Sequence, residues 1–139
     1  MKPPSRIEVR WAGGTLYDAG RVGRPSIRLD TTGAMGPGPV ETLMCALGTC
    51  TAEDILGILE KRRTPVAALR IEVEGARADA VPARVVAIKL TYHIDGAGIE
   101  PDQAVRAVHL SVEKYCSVHD SLDPKIPVEM YVIVNGAPA

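Results

Sequence analysis

Alternating and helical periods take turns along this chain. Arg6 to Trp11 sets Ile7, Val9 and Trp11 on one face and Arg6, Glu8 and Arg10 on the other, which predicts a half-buried strand. Gly13-Gly14 reads as a turn and Thr15 to Tyr17 as the returning strand of a hairpin. Asp18 to Pro25 is a loop, Ser26 to Asp30 a third strand, and Thr31 to Pro39 a linker dense in Gly and Pro. From Glu41 to Arg63 the period changes. Leu43, Leu47, Asp54 and Ile58 fall near one line at helical spacing with Cys50 beside it, while Met44, Thr51, Ile55 and Leu59 widen the apolar arc. No charge interrupts Leu43 to Cys50, so that half of the helix is expected to be covered on most sides. Lys61-Arg62-Arg63 suit a helix C-terminus, and Pro65 limits continuation. Gly48 and Gly57 each weaken a helix by roughly 1 kcal/mol relative to Ala. With Ala46, Thr49 and Ala52 they also make a surface smooth enough for another backbone to approach.

Beyond this helix the strand period returns. Leu69 to Val73 alternates with Arg70, Glu72 and Glu74, and Val86, Ile88, Leu90, Tyr92 and Ile94 keep period two over nine residues. Gly96-Ala97-Gly98 breaks that strand, and Pro101 fits the first turn of a second helix. Val105, Val108, Val112 and Cys116 share one face at helical spacing, so the third cysteine is expected on the apolar side of helix two. Val128 to Val134 is a final strand, followed by a loose end. The order βββ-α-ββ-α-β predicts an α+β fold, antiparallel sheets packed around two main helices.

Composition narrows the function classes. With 139 residues the chain reads as one domain, residues 1–139, large enough for a core without disulfide staples. Hydrophobic residues make up 46% and the formal net charge is −1, which argues against disorder and against polyanion binding. Aromatics total 4% with no Phe, leaving few platforms on which bases stack, so no nucleic-acid partner is expected. No apolar run is expected to reach the roughly 18 residues of a membrane span, and Met-Lys-Pro-Pro is not a signal-peptide start. A cytoplasmic setting is expected, in which three cysteines rest reduced and any disulfide is transient.

Those cysteines are the candidate chemistry. Cys45 and Cys50 are five residues apart, about 140° round an ideal helix, so they form neither a chelating pair nor a CxxC motif. A zinc site built from Cys50, Cys116 and His119 matches no compact zinc spacing. On the residues alone each cysteine reads first as a small buried hydrophobe, ahead of a catalytic thiol, and for Cys45 that reading suffices.

The run P-x-E-x-L-x-x-A-L-G-x-C-T, here Pro39, Glu41, Leu43, Ala46, Leu47, Gly48, Cys50 and Thr51, resembles the helix signature of the OsmC/Ohr family of osmotically inducible and organic hydroperoxide resistance proteins. Ala107 to Val118, AVHLSVEKYCSV, is similar to that family's second-cysteine motif, and the element order agrees across nearly the whole chain. The L-G-x-C-T and K-Y-C-S-V forms stand closest to the general OsmC-like (YhfA-like) branch. The resemblance implies a thiol peroxidase of the stress-response type without cofactor or metal. Cys50 would be the peroxidatic residue and Cys116 the resolving one, forming a disulfide that an external lipoyl or thioredoxin-like dithiol reduces. It implies organic hydroperoxides as substrates and an intertwined homodimer. The family resemblance leaves room for a second outcome, redox sensing or small-ligand binding without turnover.

An apolar site raises a thiol's pKa, whereas attack needs thiolate, and Cys50 is too deep in its helix to gain from the positive N-terminus. In the family's peroxidase branch an arginine held by a glutamate supplies the cation. Glu41 stands in the comparable place here, with Arg24 as the first choice of arginine and Arg21 and Arg28 as rivals. Without that role, Glu41 is a carboxylate suited to a helix N-terminus and the arginines are solvated loop charges. Asp54, one turn past Cys50, reads as a partner for a cation or a solvated side chain. Tyr115 and His119 flank Cys116 and read as packing or surface residues.

Overall fold

The computed structural model describes every residue from Met1 to Ala139. The chain divides into two compact units, Met1–Leu43 and Met44–Ala139, each with its own sheet.

In the first unit β1 (Glu8–Trp11), β2 (Leu16–Gly20) and β3 (Ile27–Asp30) form an antiparallel meander in that order. Register places Val9 opposite Ala19, Trp11 opposite Tyr17 and Asp18 opposite Arg28. The expected alternation is there, but the expected cover is not: Ile7, Val9 and Trp11 are 62%, 64% and 69% exposed. A three-stranded sheet has no second layer of its own to bury that face. Where β3 ends, the buried Asp30 carboxylate organises the next loop by accepting from Thr32 N–H at 2.9 Å, the Thr32 hydroxyl at 2.7 Å and Met35 N–H at 3.0 Å. These bonds, with one from the Thr15 hydroxyl, hold Asp30 down to about 2.

Helix α1 (Pro39–Lys61) begins two residues earlier than its periodicity suggests, because Pro39 at the first position is preorganised for helix. Gly38 N–H donates to the Glu41 carboxylate at 2.9 Å, the reach-back half of a capping box. α1 is long and apolar enough to cross a membrane, contrary to the expectation that no apolar run reaches that length. Its Leu47, Thr51, Ile55 and Leu59, however, are buried against protein in the second unit.

That second unit is a four-stranded sheet, order β4-β5-β6-β7, made of β4 (Ala68–Arg77), β5 (Val85–Asp95), β6 (Val128–Val134) and the short β7 (Ala137–Pro138). The segment after Val134 is therefore paired, not loose. β4 and β5 are antiparallel, but β6 runs parallel to β5 because α2 (Pro101–Leu110) carries the chain back across the sheet. The antiparallel expectation fails at that one pair, while the α+β class and the order of main elements hold. Leu90, Tyr92 and Ile94 point into the core, and Ala104, Ala107 and Val108 of α2 are buried with them. Small residues set how closely α1 approaches: a Cβ on Gly48 would meet Val73 Cγ2 at 3.3 Å, and one on Gly75 would meet Met44 Sδ at 2.6 Å. The opposite face of the sheet is wet, with His93 Nε2 2.7 Å from Glu72 and Lys89 over the Tyr131 ring.

The uncharged half of α1 is not covered on most sides. Leu43, Cys45, Ala46, Thr49 and Leu56 are exposed, and only the Leu47-Gly48-Thr51 side is packed within the chain.

Candidate dithiol site

Cys50 sits beside the buried line of α1, next to Thr51, and is half-buried. Its partner arrives by a route that helical spacing does not reveal. After Leu110 the backbone widens into a π-helical turn, Ser111–Tyr115, closed by Cys116 N–H donating to the Ser111 carbonyl at 2.8 Å. Cys116 then leaves the helix with extended backbone, φ −75° and ψ 107°, and caps the short α3 (Ser117–Asp120). Its Sγ accepts from His119 N–H at 3.3 Å. Cys116 is thus not the next residue on a continuing helical face, because a π turn rotates the residues after it away from the α-helical progression. It remains buried, 3% exposed.

Cys50 lies near enough to Cys116 to bear on its ionisation. Burial pushes the Cys116 thiol up to about 11, and hydrogen bonding and charge from the neighbouring Cys50 push the same way, against the His119 and Val118 N–H groups. Both cysteines are free thiols. Cys45 is exposed and stands apart from this pair.

A polar cluster joins the segments that carry the two cysteines. Tyr92 OH donates to Thr51 Oγ1 at 2.9 Å, and Thr51 Oγ1 donates to the Gly48 carbonyl at 3.1 Å. Burial raises the Tyr92 phenol to about 12, with Cys116 as a nearby charge in the same direction. Ser111 Oγ lies 3.0 Å from the Thr51 carbonyl oxygen and 3.0 Å from Asp54 Oδ2. Sequence reasoning gave Thr51, Tyr92 and Ser111 no role beyond packing, and it sent Asp54 to a cation or to water. A signal was present: Thr51 and Ser111 are hydroxyls on otherwise apolar lines, and a buried hydroxyl requires a partner.

The remaining candidates have partners of their own. Glu41 gives its carboxylate to Gly38 and forms no ion pair with Arg24, Arg21 or Arg28. Arg28 is held instead by its cross-strand neighbour Asp18, Nε to Oδ1 2.8 Å and Nη2 to Oδ2 3.0 Å. Arg24 is exposed, and its backbone N–H closes a turn onto the Arg21 carbonyl at 3.1 Å. The glutamate–arginine pair implied by the resemblance is therefore not formed, since a carboxylate three residues into a helix finds the free N–H groups first. Tyr115 faces solvent, and His119 meets Cys116 through its backbone. No cluster of His, Cys, Asp and Glu is arranged to hold a metal.

The pattern of the OsmC-like protein family matches residues 31–130, a span that includes both cysteines. Protein YhfA of Escherichia coli K12 is 30% identical over 124 residues, 88% of this chain and 92% of that protein. Among solved structures, a hypothetical protein from Aquifex aeolicus superposes with a TM-score of 0.84 at 25% identity, covering 96% of this chain and 98% of its own. The organic hydroperoxide resistance protein OhrB of Bacillus subtilis shares the fold at 13% identity, with a TM-score of 0.62 over 92% of this chain and 96% of its own. With a family pattern spanning most of its length and a relative at this level of identity, the chain belongs to the OsmC-like protein family.

Proposed function

We propose that this protein is a cysteine-based peroxidase that reduces organic hydroperoxides. The observation that carries the reading is the adjacency of Cys50 and Cys116, one half-buried and approachable, the other buried and held protonated. The Cys50 thiolate attacks one oxygen of ROOH: an S–O bond forms, the O–O bond breaks, and the alkoxide takes a proton to leave as ROH. Cys50 becomes a sulfenic acid. Cys116 sulfur then attacks the Cys50 sulfur, forming the disulfide as the hydroxyl departs with the Cys116 proton as water. An external dithiol, lipoyl or thioredoxin-like, returns two electrons and two protons by exchange. A buried neighbour that keeps its proton suits the resolving role, because it waits as a thiol until a sulfenic acid forms beside it.

Arg24 is the proposed source of further stabilisation for the thiolate, with Glu41 ordering the start of α1. The working form is a homodimer, supported by the exposed apolar row Ile7, Val9, Trp11 and by Leu43 and Leu56 on α1. Cumene hydroperoxide consumption with dithiothreitol or a dihydrolipoyl reductant tests the reading. Turnover is expected in wild type, lost in Cys50→Ser, and lowered in Arg24→Ala. Equal consumption by wild type and Cys50→Ser would overturn it. One observation favours a second reading, redox sensing or ligand binding without turnover: Glu41 is paired with no arginine. A single stoichiometric oxidation that stops at the disulfide would select that outcome.

A further inference from the structure

Ser111 is the residue through which the two cysteine-bearing segments touch. Its carbonyl accepts Cys116 N–H at 2.8 Å across the π turn, so the backbone of Cys116 moves with Ser111. Its hydroxyl, fully buried, points the other way, 3.0 Å from the Thr51 carbonyl and 3.0 Å from Asp54 Oδ2. Thr51 is the residue after Cys50, and Asp54 stands one helical turn beyond Cys50. One side chain therefore spans from the turn that carries one thiol to the turn that carries the other.

A serine hydroxyl has a single proton to donate, and a carboxylate is a stronger acceptor than a carbonyl already engaged within a helix. Asp54 is thus the acceptor that secures Ser111. The π turn itself has poorer hydrogen-bond geometry than α-helix and persists where its surroundings over-determine it. Tied by Cys116 N–H at one end and by Asp54 and Thr51 at the other, this one is over-determined at Ser111. Disulfide closure tolerates little error, since the sulfurs must meet with Cα atoms within about 7 Å and a restricted dihedral angle. Closure is also intramolecular, so its equilibrium scales with how well one thiol is presented to the other.

We propose that Ser111, secured by Asp54, is a positioning residue that clasps the Cys116 turn to the Cys50 turn and favours closure of the Cys50–Cys116 disulfide. The inference rests on the dithiol reading but not on hydroperoxide turnover.

The test equilibrates the full-length protein with mixtures of reduced and oxidised dithiothreitol and measures the disulfide fraction and its rate of appearance. In that exchange a Cys50 thiolate opens the dithiothreitol disulfide, and Cys116 then displaces reduced dithiothreitol, so the protein loses the two electrons and two protons that dithiothreitol gains. Ser111→Ala and Asp54→Ala are expected to shift the equilibrium toward the dithiol about tenfold, about 30 mV, and to slow the second step. Asp54→Asn, whose amide oxygen still accepts from Ser111, is expected within about twofold of wild type. Thermal unfolding of the reduced proteins runs alongside. A Ser111→Ala protein with the wild-type equilibrium and rate overturns the proposal, and so does lowered stability in both alanine variants with an unmoved potential. Equal shifts in Asp54→Asn and Asp54→Ala overturn it as well. Wild type that exchanges normally with dithiothreitol but consumes no hydroperoxide refutes the peroxidase reading alone. Wild type that never forms the disulfide refutes both.

Discussion

The two sheets of this protein obey the same rule of alternation and end in opposite surroundings. On β1, Val9 and Trp11 occupy the apolar side of the strand, yet both are mostly exposed. On β5, Leu90, Tyr92 and Ile94 occupy the apolar side and are fully buried. Period two says which side of a strand is apolar; it does not say what covers that side. The second unit supplies its own cover through α1 and α2. Nothing within residues 1–43 does so for the first, which is why a second copy of the chain is the proposed cover there.

The contrast predicts very unequal responses to truncation. Leu90→Ala, emptying a fully buried site, is expected to destabilise by about 2–5 kcal/mol in a urea titration. Val9→Ala should stay within about 0.5 kcal/mol for an isolated chain. A Val9→Ala loss comparable to that of Leu90→Ala, at every protein concentration, would mean that β1 is covered by its own chain. Trp11→Glu sharpens the point. If the proposed dimer forms through this row, the variant sediments as a monomer and loses the concentration dependence of Tm. An unchanged sedimentation profile would place the dimer contact elsewhere.

Smaller effects divide the same way. Tyr92→Phe removes the buried donor to Thr51 and is expected to destabilise by about 1 kcal/mol. Tyr131→Phe removes an exposed bond to Glu129 at 3.0 Å and should lie within about 0.5 kcal/mol of wild type. Similar losses in both variants would erase the distinction between the two faces of the sheet.

The units also differ in the direction from which pH attacks them. As pH falls below 3.8 the unfolded Asp30 takes up a proton, while in the folded chain it resists until about 2, so stability declines across that acid window. Cys116 behaves oppositely. Above pH 9 the unfolded thiol ionises, whereas the folded one keeps its proton until about 11, so stability declines across that alkaline window. Denaturant midpoints across pH should show a shallower acid limb in Asp30→Asn and a shallower alkaline limb in Cys116→Ala, where Tyr92, raised to about 12, keeps a share of the decline. An unchanged slope in either variant would assign that limb to other groups.

Much of the architecture was legible because it depends on local patterns. The long period-two run of β5 and the wide apolar arc of α1 each left a signature that survives without tertiary information. The parallel pairing of β6 with β5 left none, since the direction of a strand depends on how the intervening chain crosses the sheet. The same limit applied at the site. Motif likeness brought Cys50 and Cys116 forward as a pair, but constant helical spacing set Cys116 on a face that the π turn at Ser111 abolishes. The family resemblance points Glu41 toward an arginine, whereas its bond from Gly38 N–H, three residues back, fits the alternative of a carboxylate at a helix N-terminus.

The sequence by itself determined which stretches become helix or strand, which side of each is apolar, and which two thiols carry the family's motifs. Those properties depend on neighbours along the chain and on residue type alone. Only the tertiary structure decided that Ser111, Asp54, Thr51 and Tyr92 bond to one another, and that the apolar row of β1 goes uncovered within its own chain. Both are matters of contact between distant segments, and a hydroxyl or a valine carries no mark of which distant partner it will meet.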